Sequence, residues 1–342
     1  MTVLAVRKGA LAETSPLPDV GVAGPGQARM IVETFALTAN NVTYAVHGED
    51  MAYWRFFPAP DGLGIVPVWG FGHVETSHVD GVTAGERYFG YWPMAGAALL
   101  QPVGVSRAGL TDGAAHRAGL PPFYNRYTPA SSDWGNEDVQ SLLRVLYATA
   151  FLIDALMATR PVDTVLLSSA SSKTALGAAQ AAKGRQRVVG LTSAANRDFC
   201  LATGYYDQVL SYAEVADVRG DAIAFVDLSG NGAVRSDVHT LLGDRLHESH
   251  MVGDTHWQQD NRQTLPGPRA APFFAPTVAQ ARVAEWGPAG FDARLLAAWR
   301  SFVATTGWLK VERVQGRQDV AAAWADLVRG RIDPAVGIIA SL

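Results

Sequence analysis

The sequence of 342 residues contains a single cysteine, Cys200. One cysteine cannot form an intramolecular disulfide, and it excludes a structural zinc site built from four cysteines. Positive charge is also not concentrated anywhere: 28 Lys and Arg stand against 32 Asp and Glu, with no basic block. Such a chain has little with which to bind a phosphate backbone, so we expect no nucleic-acid partner.

Long apolar segments are lacking as well. The longest mostly apolar stretch runs from Val145 to Ile153, and it is too short to cross a bilayer. Residues 1–19 lack the apolar core and cleavage site of a secretory signal. We therefore expect a cytoplasmic protein that makes no membrane contact. Because 48% of the residues are hydrophobic and only 18% are charged, we expect a folded chain with a sizeable core.

The chain has two regions with different patterns. The first 130 or so residues are rich in Gly, Pro and aromatics, with short β-like runs at 29–35, 65–69 and 88–91. This pattern predicts a partly open β-barrel. From Asn136 an amphipathic helix is followed by alternating strands and helices, which predicts an α/β fold with a doubly wound parallel sheet.

These patterns predict the domain boundaries. We expect a β-rich domain over residues 1–130, completed by about 286–342, and a second domain over 131–285. Residues 254–290, with repeated Pro, Gly, Gln and Arg, predict a long loop or lid between these parts.

The stretch SSASSKTALG, residues 168–177, follows an apolar strand and opens an Ala-rich helix. Nucleotide-binding folds place their phosphate loop at this position and usually build it from glycines. Serine hydroxyls and the Lys173 ammonium can also bind an anion at such a turn. The alternative is that the serines only cap the helix. The stretch is not a Walker A loop, because the upstream glycine of that motif is missing.

The next strand ends in Thr192 and Ser193, followed by Asn196 and Arg197. A dinucleotide-binding fold that selects NAD usually has an acidic residue there, which binds the ribose 2′-hydroxyl. Hydroxyls and a guanidinium suit a 2′-phosphate instead, so the segment favours NADP(H) over NAD(H). The alternative is that Arg197 is an ordinary solvated residue of a first helical turn.

Five segments in the correct order resemble the medium-chain dehydrogenase/reductase superfamily, and in particular its zinc-free quinone and enoyl reductases. They span roughly residues 24–231 and read GPGQARMIVETFALTANNVTYAVHG, VWGFGHVETSHVDGVTAGERYFG, VLLSSASSKTALGAAQAAK, TGYYDQVLSY and AIAFVDLSGN. Details such as SSASSKTA and YWRFFPAP resemble a divergent bacterial branch of unknown function.

The resemblance implies a Rossmann-type domain that binds NADP(H), a GroES-like β-rich domain, and a homodimer formed by pairing of sheet edges. Ser169, Ser172 and Ala175 stand where the superfamily usually has glycines. The candidate cofactor-binding residues are Ser169, Ser171, Ser172, Lys173, Thr174, Thr192, Ser193, Asn196, Arg197, Tyr212, Asp227, Gly230 and Asn231.

The resemblance also implies catalytic candidates. Tyr44 matches the region from which zinc-free enoyl reductases supply a proton donor, and Asn41 falls at or next to the superfamily's aspartate position. The candidate substrate-lining residues are Tyr53, Trp54, Tyr91, Trp92, Tyr124, Asn125 and Tyr127. Together they indicate a flat, apolar or aromatic acceptor. The alternative is that these side chains only pack the barrel.

We expect no zinc, because no cysteine lies near residues 38–41, where the first zinc ligand of related alcohol dehydrogenases falls. The sequence thus predicts an NADP(H)-dependent, zinc-independent oxidoreductase that reduces an activated C=C or C=O bond. Two alternatives stay open. The chain could be a non-catalytic NADP(H)-binding protein or redox-responsive partner subunit, or a non-redox enzyme that reuses the fold.

Overall fold

The structure is a computed structural model that describes residues 2–252 and 265–342. The chain divides into two compact units, Met1–Leu142 with Leu309–Leu342 (unit 1) and Leu143–Trp308 (unit 2). Both boundaries lie later in the chain than the sequence predicts. Residues 131–142 join unit 1, where Glu137 pairs with Arg87 at 2.8 Å. Residues 286–308 join unit 2, where Phe151 contacts Trp286 and Phe291 with ring centroids 6.2 and 5.8 Å apart.

Unit 1 is built mainly of antiparallel strands. Its elements are β1 (Val3–Arg7), β2 (Ala10–Leu17), β3 (Ala28–Leu37), α1 (Ala39–Val46), β4 (Leu63–Ile65), β5 (Pro67–Ser77), β6 (Arg87–Pro93), β7 (Ala97–Leu100), β8 (Pro102–Ser106), β9 (Gly109–Asp112), β10 (Arg126–Pro129), β17 (Lys310–Gln315), α8 (Gly316–Val328) and β18 (Val336–Ser341). The helix α2 (Glu137–Met157) begins in unit 1 and continues into unit 2.

The strands of unit 1 form two sheets. One has the order β2-β1-β4, and the other has the order β17-β18-β3-β5-β6-β10-β9-β8 with β7 also paired to β3. Their buried faces enclose one core that includes Met30, Phe35, Trp92, Tyr127 and Trp324. The predicted β-rich domain is therefore confirmed, with β-branched and aromatic residues on the strands that fill it.

Unit 2 contains a six-stranded parallel sheet. Its elements are β11 (Thr164–Leu167), α3 (Lys173–Ala182), β12 (Arg187–Thr192), α4 (Arg197–Ala202), β13 (Gln208–Ser211), β14 (Ile223–Asp227), α5 (Gly232–Leu242), β15 (Leu246–Val252), β16 (Ala271–Phe273), α6 (Ala275–Trp286) and α7 (Pro288–Val303). The strand order is β13-β12-β11-β14-β15-β16. This is the doubly wound Rossmann order, which reverses between β11 and β14, and the predicted fold class is confirmed.

One prediction along the chain is wrong in part. Residues 254–290 read as a loop, whereas β16 and α6 lie within them. The prediction took Pro276 as a sign of a loop. Proline is also compatible with the first turn of a helix, which is where Pro276 lies in α6. Residues 254–264 of that predicted loop lie outside the described residues.

Within the described residues, one helix is long and apolar enough to span a membrane, namely α2 with 21 residues. Over half of its most apolar window is buried inside the protein, as in the core helix of a soluble protein. The sequence predicts this helix from Asn136, and the helix is longer than the apolar run Val145–Ile153 because Arg144 and Asp154 interrupt that run without ending the helix.

Candidate functional site

The turn between β11 and α3 lies at the switch point of the parallel sheet. Strands β11 and β14 are neighbours, and their connections leave in opposite directions along the sheet. The carboxyl ends of strands at such a point border the ligand crevice of doubly wound folds. The serine-rich segment therefore lies where this fold binds ligands, and Ser172 caps α3 by accepting a hydrogen bond from the Ala175 amide at 3.3 Å.

Ser169 adopts a left-handed backbone conformation, with φ of 50°. Glycine reaches this conformation without strain, whereas a residue with a Cβ does not. Two hydrogen bonds hold it: the Ser169 amide donates to the Tyr212 hydroxyl at 3.1 Å, and the Ser172 amide donates to the Ser169 carbonyl at 2.8 Å. The turn thus keeps the backbone of a glycine turn at the first of the three positions that the sequence comparison matched to glycine.

The turn is pressed closely onto the neighbouring strand β12. A Cβ on Gly190 would lie 2.8 Å from the Cβ of Ala170 and 3.0 Å from the ring of Tyr206, so only glycine fits there. Tyr206 also donates a hydrogen bond to the Ala170 carbonyl at 2.7 Å. Tyr206 and Tyr212 therefore fix the turn from the segments directly before and after β13.

Asp227 has a different environment from the one that the sequence predicts. Its carboxylate is buried, with one oxygen 3.0 Å from Arg235 Nε and the other accepting hydrogen bonds from the hydroxyls of Ser168 and Ser229 at 2.8 and 2.7 Å. The role of Asp227 as a cofactor ligand stays a prediction. Its carboxylate joins the ends of β11 and β14, so it positions the turn.

The segment after β14 contributes a helix cap. The side chain of Asn231 accepts hydrogen bonds from the amides of Ala233 and Val234 at 2.9 and 3.3 Å, and this caps α5. Gly230 has a positive φ of 63°, which lets the chain enter the helix. The side-chain oxygen of Asn231 is therefore engaged within the protein, although both residues lie at the carboxyl end of β14.

The residues after β12 meet the serine turn directly. Asn196 donates to the Ser171 hydroxyl at 3.0 Å, and the Thr192 hydroxyl donates to the same oxygen at 3.5 Å. Ser193 is exposed beside them. Lys173 and Thr174 form the first turn of α3 and are half-buried. The structure thus brings together the hydroxyl and amide groups of the two segments that the sequence singled out.

Arg197 forms an ion pair that the sequence analysis did not foresee. Its guanidinium lies 3.2 Å from both carboxylate oxygens of Glu214, and the Ser211 amide donates to Glu214 at 2.8 Å. The backbone hydrogen bond from Ser211, followed by Arg197, lowers the pKa of Glu214. The segment SYAE at 211–214 carries the capping-box spacing, which would have placed Glu214 at the end of β13.

In unit 1, Tyr44 lies on α1 with a buried side chain. Its oxygen accepts hydrogen bonds from Asn40 Nδ2 at 2.6 Å and from Trp69 Nε1 at 3.1 Å. Asn40 reaches it because residues four apart share one helix face. Burial raises the pKa of Tyr44 well above that of a free tyrosine, and the nearby Tyr53 adds to the rise. Tyr44 is therefore a protonated phenol whose oxygen accepts two hydrogen bonds.

Asn41 lies next to Asn40 but has a structural environment. Its Oδ1 accepts from the amide of Thr38 at 2.7 Å, and its Nδ2 donates to the carbonyl of Pro67 at 2.9 Å. The buried amide therefore caps α1 and ties it to β5. The Asn41 side chain thus holds α1 in place, and a catalytic role for it stays a prediction.

Three of the seven predicted lining residues gather around Tyr44. The ring centroids of Tyr53, Tyr91 and Tyr124 lie 4.6, 5.4 and 6.1 Å from its own. The hydroxyls of Tyr53 and Tyr124 are 3.4 Å apart. Trp69, which the sequence did not single out, completes the wall with a centroid 4.9 Å from that of Tyr91. The alternation of side chains along β5 could have placed it there.

The other four predicted lining residues belong to the protein interior. Trp92 donates to the Gly70 carbonyl at 3.0 Å and contacts Tyr127, whose hydroxyl donates to the Tyr91 carbonyl at 2.6 Å. Trp54 packs in the same core. Asn125 accepts a hydrogen bond from the buried Arg117 at 3.3 Å. These contacts favour the packing interpretation, and substrate lining by these four residues stays a prediction.

Across residues 2–252 and 265–342, no group of three or more His, Cys, Asp or Glu side chains is arranged to hold a metal ion. Cys200 lies on α4 and is buried, and burial raises the pKa of its thiol to about 11. A thiol of this kind is a poor nucleophile, because the thiolate is the reactive form.

The fold is similar to that of several solved structures at low sequence identity. CurA from Vibrio vulnificus in complex with NADPH matches with a TM-score of 0.62 at 16% identity, over 100% of this chain and 98% of that one. A CurF ER cyclopropanase from the curacin A biosynthetic pathway matches with a TM-score of 0.64 at 14% identity, over 99% and 98%. A quinone oxidoreductase from Coxiella burnetii matches with a TM-score of 0.59 at 15% identity, over 100% and 99%.

A comparison with curated proteins finds no match. A family model described as "Protein of unknown function (DUF2855)" matches residues 35–333, which is most of the chain. The chain therefore belongs to the DUF2855 family and has the fold of the medium-chain quinone and enoyl reductases.

Proposed function

We propose that this protein is an NADP(H)-dependent, zinc-independent oxidoreductase that reduces an activated C=C or C=O bond. The observation that carries the proposal is the left-handed Ser169 in the turn after β11. A strained backbone at a ligand-binding position is retained where function needs it. The crystal structure of CurA in complex with NADPH supports the choice of cofactor, since CurA has the same fold.

The residues of the turn fit a diphosphate. Ser171 and Ser172 have small side chains with hydroxyl donors, and Lys173 brings an ammonium group to the start of α3, a helix of ten residues. The close packing enforced by Gly190 keeps the turn flat against β12. These residues, with Thr174, would hold the diphosphate of the cofactor.

The residues after β12 fit a 2′-phosphate. Ser193 is exposed, Asn196 lies next to Ser171, and Arg197 offers a guanidinium. Guanidinium groups bind phosphates through paired hydrogen bonds. Their chemistry supports NADP(H), because the carboxylate that would bind a free 2′-hydroxyl is not the group that ends β12. Tyr212 would line the same pocket while it holds the Ser169 amide.

Tyr44 is the proposed proton donor. Reduction of a C=C bond adds a hydride to one carbon and a proton to the other, and bound NADPH supplies the hydride. The Tyr44 hydroxyl would give the proton, which leaves a phenolate that accepts hydrogen bonds from Asn40 and Trp69. Those two donors stabilise the anion until water returns a proton. The surrounding rings of Tyr53 and Tyr124 suit a flat, apolar or aromatic acceptor.

The first test is a titration of NADPH with the full chain, in which the fluorescence of NADPH reports binding. We expect a blue shift or a change in intensity that saturates, and NADPH absorbance should fall when enones, enals or quinones are added. Saturable binding without any turnover would favour the non-catalytic binder. A silent titration would remove both of these functions and leave a non-redox enzyme.

We also propose a cytoplasmic homodimer that forms through the edge of the parallel sheet. Strand β16 is the last strand of that sheet, and Phe274 directly after it is 65% exposed. An open edge with an apolar residue beside it suits pairing with a second copy. Light scattering should give a mass twice that of one chain, and Phe274→Glu should reduce the measured mass to that of a single chain.

A further inference from the structure

Tyr91, on β6, carries a buried hydroxyl group that lacks a partner. The side chain is 0% exposed, and within the described part of the chain no group forms a hydrogen bond with its hydroxyl. Its backbone is well bonded, since the Tyr91 carbonyl accepts from the Tyr127 hydroxyl at 2.6 Å. The two neighbouring tyrosines therefore differ in one respect: Tyr127 uses its hydroxyl within the protein, and Tyr91 does not.

A buried hydroxyl without a partner destabilises the folded protein, because its hydrogen bonds to water are lost on folding and no hydrogen bond within the protein replaces them. Phenylalanine would fill the same space without this loss. The great majority of buried polar atoms are hydrogen-bonded, so a fully buried exception calls for a physical reason. A ligand that supplies the missing partner is such a reason.

The surroundings of Tyr91 restrict what the ligand can be. Its ring lies among the rings of an aromatic box, which we define as Tyr44, Tyr53, Phe56, Trp69, Tyr91 and Tyr124. Burial raises the pKa of Tyr91, and Tyr44, Tyr124 and Tyr53 add to the rise, so the hydroxyl keeps its proton. The box thus combines flat apolar walls with the Tyr91 hydroxyl, which has no hydrogen-bond partner among the described residues.

One ring of the box, that of Tyr124, packs on Tyr91 and belongs to a short turn instead of a strand or a long helix. Its centroid is 4.8 Å from that of Tyr91, and it stands on the four-residue 3-10 turn Pro122–Asn125. Phe123 in this turn is 56% exposed. A short turn with an exposed apolar residue can be displaced more easily than a strand, so a ligand would enter by moving Tyr124.

We propose that the Tyr91 hydroxyl donates a hydrogen bond to the oxygen of a planar conjugated carbonyl compound, and that the protein thereby selects enones and enals over hydrocarbon alkenes. The proposal deepens the proposed function and rests on it for the reaction. The hydrogen bond itself needs no NADPH. Binding of the carbonyl compound can therefore be measured separately from turnover.

The test uses benzylideneacetone and (E)-3-methyl-1-phenylbuta-1,3-diene, in which a CH2 group replaces the carbonyl oxygen. Each is titrated into the full chain without NADPH by calorimetry. We expect the unaltered protein to bind the ketone about tenfold more tightly than the diene. Tyr91→Phe should remove that preference: the affinity for the ketone should fall about tenfold, and the affinity for the diene should stay the same.

Thermal unfolding of two matched variants supplies a second readout. Tyr91→Phe should leave Tm unchanged or raise it by about 2 °C, because it removes an unsatisfied group. Tyr127→Phe should lower Tm, because it removes the hydrogen bond to the Tyr91 carbonyl. Removal of a hydroxyl that binds a ligand should thus leave Tm unchanged or raise it, whereas removal of a hydroxyl that stabilises the fold should lower it.

Three results would overturn the proposal: no binding of either compound, equal binding of both, or a ketone preference that survives Tyr91→Phe. A loss of Tm in Tyr91→Phe equal to that in Tyr127→Phe would also overturn it, since the hydroxyl would then bond a buried water only. If Tyr91 governs ketone binding while NADPH does not bind, the oxidoreductase function fails and this inference stands. If NADPH binds and the two compounds bind alike, the reverse holds.

Discussion

The guanidinium of Arg197 lies 3.2 Å from each carboxylate oxygen of Glu214, at the ends of two neighbouring parallel strands. An arginine proposed to bind a 2′-phosphate is thus already neutralised by a carboxylate. A phosphate that binds there must compete with Glu214 and is repelled by it.

We therefore expect opposite effects from the two partners. Glu214→Gln should tighten binding of 2′,5′-ADP about threefold to tenfold, because the competing charge is gone. Arg197→Gln should weaken 2′,5′-ADP about tenfold and leave 5′-ADP nearly unchanged. Calorimetry with the two nucleotides measures both effects without any acceptor substrate.

Arg185→Gln is the matched control, because Arg185 belongs to the same unit and pairs with Asp154 instead. It changes the net charge by the same amount as Arg197→Gln and should leave both affinities within twofold. Equal affinity of the unaltered protein for 2′,5′-ADP and 5′-ADP would refute the preference for NADP(H).

The hydrogen bonds to Tyr44 give a second prediction. Tyr44→Phe should reduce kcat about 100-fold or more with benzylideneacetone, since general-acid catalysis contributes roughly that factor. The NADPH dissociation constant should stay the same, because the residues proposed to bind the cofactor all belong to unit 2. Asn40→Leu should give a smaller loss, since Trp69 still donates to the oxygen. Steady-state kinetics with an independent NADPH titration separates the two quantities.

The control for this prediction is Tyr88→Phe on β6, whose hydroxyl donates to Glu86 at 2.8 Å, away from the aromatic box. It should keep kcat within twofold. An unchanged kcat in Tyr44→Phe would mean that another group gives the proton.

Much of the fold could be predicted from the sequence, because strand–helix alternation and apolar periodicity are local. Strand β11, helix α3 and strand β12 lie where residues 164–192 place them. The boundaries after 130 and before 286 could not be predicted. They depend on which distant rings Phe151 and Tyr147 contact, and periodicity does not specify contacts between elements.

The candidate site was predictable by segment but not by side chain. The sequence indicated that Tyr44, Tyr91 and Trp92 all belong to aromatic-rich strands and turns. On β6 neighbouring side chains point to opposite faces, so Tyr91 enters the aromatic box while Trp92 enters the core. The register of the barrel decides which face is which, and register is set by long-range pairing.

Ser169 gives a third prediction, on stability. Its left-handed backbone costs roughly 1–2 kcal/mol relative to glycine, while glycine loses about 0.5–1 kcal/mol more entropy on folding. Ser169→Gly should therefore raise the free energy of unfolding by about 0.5 kcal/mol. Urea unfolding measures this.

The matched control is Ser193→Gly, which changes the same atoms at an exposed residue with φ of −69°. Here no strain is relieved, so the free energy of unfolding should fall by about 0.5–1 kcal/mol. Equal losses in both variants would show that Ser169 is not strained. NADPH binding should survive Ser169→Gly, since glycine is the usual residue at this position in the fold.

His239 provides a prediction on pH. Its imidazole is fully buried on α5, with Nδ1 donating to the Pro266 carbonyl and Nε2 accepting from Ser249, both at 2.9 Å. Burial lowers the pKa of His239 below its ordinary value of 6.5. Above pH 6.5 the imidazole is neutral in both the folded and the unfolded chain, and its contribution to stability is fully present. As the pH falls from 6.5 towards the folded pKa, only the unfolded chain gains a proton.

The free energy of unfolding should therefore decrease by up to about 1.4 kcal/mol per pH unit across this window from His239 alone. His239→Gln, which keeps a side chain able to donate and accept, should flatten the profile below pH 6.5. His247→Gln, at an exposed position, should keep the slope of the unaltered protein. If urea unfolding at a series of pH values gives parallel profiles for all three proteins, His239 is protonated in the folded state and its assigned hydrogen bonds are wrong.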